Sequence, residues 1–162
     1  MDIAQLAAAM VAVTEGLYWT DGGASRDDDL FVELAGTLGV PDYAVRTAED
    51  LDPSLIFQKY LGDAARSVCW QLVERETGTP ASRVLMKQVA PTDTWETAPE
   101  KIDDNLKWLL LRFHGRSTED DTTALELWRW LFRSAALVSQ DPVVAWRTVC
   151  VGLLTHPDFY LY

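Results

Sequence analysis

Apolar positions recur with a period near 3.6 residues along most of the chain, and this predicts helices nearly throughout. Ile3–Leu17 reads as a first amphipathic helix. Ser25 caps a second, with Asp28 at the capping-box position, and Gly39 and Pro41 end it. Asp52-Pro53 is an N-cap followed by proline at the first helical position. The third helix it opens runs to about Thr77, before Gly78, with Phe57, Leu61, Ala64, Ala65, Val68 and Leu72 along one face. Thr97-Ala98-Pro99-Glu100 opens a fourth helix that runs to Gly115. Ser117 caps a fifth, to about Val138; Asp141-Pro142 opens a sixth, and His156-Pro157 closes it. Thr79–Ala98 is a long connection that reads as mostly loop, although Val84–Val89 has the composition of a short strand or a helical turn. The pattern predicts an all-α fold: a single helical bundle of about six helices with one long loop over residues 1–162. A looser N-terminal lobe 1–78 and C-terminal lobe 97–162 fit the same pattern.

The fifth helix is apolar on more than one side. Leu125, Trp128, Phe132 and Ala135 form one stripe, and Leu127, Trp130, Ser134 and Leu137 form a second. A helix with this pattern is either central in its bundle or faces a partner.

Composition narrows the partners. The chain has 162 residues, of which 48% are hydrophobic, enough for a core without staples. Lysine and arginine number 14 against 25 acidic residues, a formal charge of −11. This argues against nucleic acid and against an anionic membrane surface, and it suits a basic protein partner or simple solubility equally. No run approaches the roughly 18 apolar residues of a membrane span. Asp2, Gln5 and Glu15 interrupt the first apolar run where a signal peptide needs a basic start and an unbroken core. A cytoplasmic location is therefore the expectation.

Candidate chemistry is sparse. Asp27-Asp28-Asp29, Asp103-Asp104 and Glu119-Asp120-Asp121 each fall near a helix start, where negative charge complements the helix dipole. Asp21–Val32 imitates a calcium loop but places Arg26 where glycine is needed and Val32 where glutamate is needed. His114 and His156 read as helix-end groups. Cys69 and Cys150 read first as buried reduced thiols; a disulfide between two packed helices is the alternative in an exported protein. The spacing fits neither covalent haem attachment nor zinc. No catalytic residue, cofactor or metal is expected from these motifs.

Tryptophan is abundant, with seven residues. Trp70, Trp108, Trp128, Trp130 and Trp146 fall in helices and read as core, whereas Trp19 and Trp95 fall in loops, where they either fold back onto the bundle or are candidates for partner contact. Phe159, Tyr160 and Tyr162, which end the chain, join that candidate set as an aromatic extension of the sixth helix. In Phe113–Arg116, Phe113 anchors a turn, Gly115 ends the fourth helix in the left-handed conformation, and Arg116 reaches toward carbonyls or carboxylates.

The stretch LLLRFHGRSTEDD at Leu109–Asp121 resembles the arginine-containing turn before an acidic helix start in planctomycete-type cytochrome-linked bacterial domains of unknown function. The close VGLLTHPDFYLY is similar to their "LLxSPxFLYR" ending, with His156 in place of the small residue and Tyr162 in place of the basic end. DPSLIFQKYLGDAARSVC at Asp52–Cys69 also looks like uncharacterised bacterial proteins of this kind. The resemblance implies an all-helical module, often part of exported proteins beside c-type haem domains, and it carries over no catalytic residue. The chain departs from the pattern in lacking the haem motif and an export signal.

These readings converge on a non-enzymatic helical module for protein–protein interaction. An accessory domain of an exported redox or polymer-processing system is the alternative that the resemblance supplies. A hydrolase using carboxylates from separate helices is a third expectation, and it requires acidic side chains facing one another in a cleft.

Overall fold

The computed structural model describes residues 2–21, 28–37, 55–78, 83–117 and 122–161. Among these residues there are seven helices and no strand: α1 (Ile3–Val13), α2 (Leu30–Glu33), α3 (Leu55–Gly78), α4 (Pro99–His114), α5 (Thr122–Ser139), α6 (Pro142–Thr155) and α7 (Pro157–Tyr160). The all-α expectation therefore holds. The expected signals at Ser25, Gly39-Pro41 and Asp52-Pro53, and the acidic run Glu119–Asp121, lie outside the described residues. The chain divides into two units, one of Met1–Val68 with Leu154–Tyr162 and the other of Cys69–Leu153.

In the first unit, Asp2 and Gln5 form a capping box that starts α1: the Gln5 amide donates to Asp2 Oδ1 at 2.6 Å and the Asp2 amide to Gln5 Oε1 at 3.1 Å. The helix stops at Val13, short of the expected Leu17. The Thr14 hydroxyl donates back to the Met10 carbonyl at 2.7 Å, and Glu15 and Gly16 then take positive φ values of 55° and 98°. Trp19 returns the chain to the core, and its carbonyl accepts from the Leu30 amide at 2.8 Å. Asp29 caps α2 by accepting from the Phe31 amide at 3.0 Å. Leu6, Met10, Phe31, Leu61, Ala64, Ala65 and Val68 are buried, the last four on the α3 face anticipated from their spacing.

At the end of the chain the sixth helix does not simply run on into its aromatic residues. His156 breaks it and caps α7, with Nδ1 accepting from the Asp158 amide at 3.1 Å. Pro157 at the first position of α7 lacks the N–H needed to continue α6.

In the second unit the connection before α4 is folded onto a buried acid. Glu76 continues the apolar face of α3 one turn beyond Leu72 and is fully buried. Its Oε1 accepts from the amides of Val84 and Leu85, each at 2.7 Å, and its Oε2 from the Met86 amide at 2.8 Å. Asn105 of α4 holds the same segment, donating to the Leu85 carbonyl at 2.8 Å and accepting from the Gln88 amide at 2.9 Å. Side chains thus satisfy the backbone groups that a strand would satisfy by pairing, and the segment is turns.

Helix α4 has the anticipated ends, Pro99 in its first turn and Gly115 beyond it at φ 64°. It buries Ile102, Leu106, Leu109, Leu110 and Phe113. Gly152 of α6 permits close approach of α5, since a Cβ there would meet Trp128 Cζ3 at 3.2 Å and Leu131 Cδ2 at 3.1 Å.

Cys69 and Cys150 form a buried disulfide between α3 and α6, which corrects the first reading of two reduced thiols. Packing places their Cα atoms 5.8 Å apart, within bridging range.

Candidate functional site

Helix α5 turns its two apolar stripes in opposite directions. Leu125, Trp128 and Phe132 face inward, and Phe132 packs on Trp146 of α6 with ring centroids 4.5 Å apart. The second stripe faces outward: Leu127 is 66% exposed, Trp130 68%, Leu137 73% and the adjoining Val138 85%. α5 is therefore not central in its bundle: one stripe is buried and the other is exposed.

A groove of about 710 Å³ runs beside this face. Its walls come from α5, from Thr94–Glu96 of the preceding connection, and from the corner Gln140–Pro142 between α5 and α6. Gln140 shapes that corner at a positive φ of 57° and donates through Nε2 to the Leu137 carbonyl at 2.6 Å. Asp141 starts α6 by accepting from the Val143 amide at 2.8 Å.

The groove's cations are engaged by the protein itself. Arg129 makes a two-point pair with Asp103 of α4, its Nε donating to Oδ1 at 2.7 Å, and a further contact joins it to Glu126. The Asp103 hydrogen bond is the first cause of the elevated Arg129 pKa, so this guanidinium stays charged. Arg133 lies over the Trp95 ring, 5.2 Å from its centroid. Glu96 is held below its ordinary carboxyl pKa by its own backbone amide first, then by Thr94. Asp103 therefore ties two helices together, whereas its position near a helix start had suggested a dipole role.

The candidate partner residues separate. Trp95 lines the groove and is half-buried. Trp19 is withdrawn from the contact set: it is buried, edge-on to Phe31 with centroids 5.0 Å apart and 5.8 Å from Tyr60. Phe159 and Tyr160 are likewise buried, and Tyr160 packs against Phe57 at 5.6 Å. Tyr162 lies outside the described residues. Phe113 is buried and Arg116 exposed at the turn, where the Gly115 amide donates to the Leu111 carbonyl at 3.1 Å and the Arg116 amide to Leu110 at 3.3 Å. His114 lies in the last turn of α4 as expected and is buried there, with Nε2 3.0 Å from the Leu153 carbonyl.

The helical tryptophans divide too. Trp128 and Trp146 are core, but Trp130 and Trp70 are exposed, with Arg147 over the Trp70 ring at 4.8 Å. Trp130 and Trp70 had both been read as core from their helical placement. No helix among the described residues is long and apolar enough to cross a membrane. No protein-family model, curated protein or solved structure matches the chain.

Proposed function

We propose that this chain is a non-enzymatic helical module that docks onto another protein through the outer face of α5. One observation carries the reading: Leu127, Trp130, Leu137 and Val138 are exposed on one face, with Ser134 among them, along a helix that already has a buried face. Exposed apolar patches with polar borders mark interaction surfaces, and a tryptophan is a frequent anchor within them. Of the acidic residues considered for hydrolysis, Asp29 caps α2, Asp103 grips Arg129 and Asp104 pairs with Lys107.

The test is affinity capture from the native host, using the intact oxidised chain and a Trp130→Glu/Leu137→Glu variant. The expected result is a protein retained by the parent and lost by the variant, with helix content and melting temperature unchanged. Identical recovery by both would sink the reading.

A second reading, an accessory domain of an exported redox or polymer-processing system, draws support from the disulfide. Such bonds persist mainly in oxidising compartments. Alkylating the thiols at the moment of lysis tests it: a native protein carrying two alkylated cysteines would remove this reading.

A further inference from the structure

We infer that the occupant of the α5 face is a cationic amphipathic helix of another protein. The inference rests on the docking reading above and adds the chemical class of the partner.

The first argument is shape. Leu127 and Val138 are eleven positions apart on one helix, a span of roughly 16 Å at about 1.5 Å per residue. A strip about three turns long and one side chain wide matches the anchors of a helix laid along it at i, i+3, i+4 and i+7. Strand addition needs an exposed sheet edge, and there is no strand among the described residues.

The second argument is charge. The residues lining the groove include Glu96, Glu126 and Asp141 against Arg129 and Arg133, so the local sum is 2 − 3 = −1. Both arginines are engaged within the protein, one by carboxylates and the other by the Trp95 ring. A visiting helix therefore meets an apolar strip beside Glu96 and Asp141, and lysine or arginine on its flanks complements these carboxylates.

Charge also decides among occupants. A second copy brings another −11, so self-association works against repulsion. Anionic lipid and nucleic acid meet the same obstacle.

The test uses the full oxidised chain, isotope-labelled, titrated separately with two synthetic helical peptides. Both have equal length and leucine at i, i+3, i+4 and i+7; one has lysine at every polar position and the other glutamate. The lysine peptide is expected to shift the signals of Leu127, Trp130 and Leu137. It should bind at least about tenfold more tightly than the glutamate peptide and weaken as salt rises. Glu96→Gln/Asp141→Asn should reduce that preference; asparagine keeps the α6 cap. Equal or tighter binding of the glutamate peptide at α5 overturns the cationic assignment and leaves the docking reading standing. So does concentration-dependent self-association that Trp130→Glu abolishes. If neither peptide shifts α5, the assignment falls; host capture that still depends on Trp130 then preserves the docking reading, and capture indifferent to Trp130 removes both.

Discussion

The Oε1 atom of Glu76 stands 2.7 Å from the amide nitrogen of Leu85, and both residues are fully buried. The other oxygen takes the Met86 amide, so one carboxylate satisfies a bend that has no ladder partner. Glu76→Ala leaves three buried donors unpaired, at about 1–3 kcal/mol each, offset in part by removal of a buried charge. The expected net loss is about 3 kcal/mol in urea unfolding, with faster hydrogen exchange at residues 84–86. Glu76→Gln keeps one carbonyl acceptor and should lose less. Unchanged stability and exchange in the alanine variant would show that the segment does not depend on this acid.

The Cys69–Cys150 bond closes a sequence separation of 81 residues. Reduction, or Cys69→Ala with Cys150→Ala, is expected to lower stability by about 2–5 kcal/mol, since the unfolded chain regains the freedom the bond removes. Denatured protein purified without reductant should show no reactive thiol, and two after reduction. Two reactive thiols before reduction would contradict the pairing.

Phe159 is buried at the second helical position after Pro157, and Tyr160 beside it packs on Phe57. Phe159→Ala should cost about 3–5 kcal/mol through the cavity it leaves. Truncation after Thr155 removes both rings and should lower the melting temperature further. A truncated protein that melts like the intact chain would mean that these residues are a docking peptide instead.

Asp63 accepts from Lys59 at 2.7 Å and from Arg66 at 2.6 Å, and these hydrogen bonds, Lys59 first, hold its carboxyl below the ordinary pKa. A lowered folded-state pKa stabilises the fold above the unfolded value, and the contribution disappears as pH falls through the folded value. The effect is therefore present at neutral pH and lost only in acid. Carbon-detected titration of Asp63 should give a midpoint below that of an exposed aspartate. Asp63→Asn should reduce the difference in stability between neutral and acidic pH; an unchanged difference would leave the ion pairs without thermodynamic weight.

Legibility in the sequence followed the range of the interactions involved. Pro99 and Gly115 bracket α4 because backbone constraints act locally, and Asp141-Pro142 marks the start of α6 for the same reason. The His156 break was half visible: proline announced an end, but the imidazole's acceptance of the Asp158 amide converts that end into a new start. Glu76 offered a signal that went unused, namely a charge one turn beyond Leu72 on an otherwise apolar face. The Asp103–Arg129 pair spans 26 positions, and no periodicity encodes it. For the site, both stripes of α5 were readable, but which one pointed outward depended on how the helix packed. Likewise a loop tryptophan such as Trp19 is drawn inward by distant rings that spacing does not reveal.

The disulfide has a topological consequence. It closes the backbone between Cys69 and Cys150 into a covalent ring containing α4, α5 and the groove. Hydrolysis of one peptide bond in the exposed stretch around Lys87 and Gln88 opens the backbone without releasing a fragment. Each half retains one cysteine, and the sulfur bridge keeps them together. The outer face of α5 therefore remains tethered to the rest of the chain after a nick, and its release takes a second chemical event, reduction.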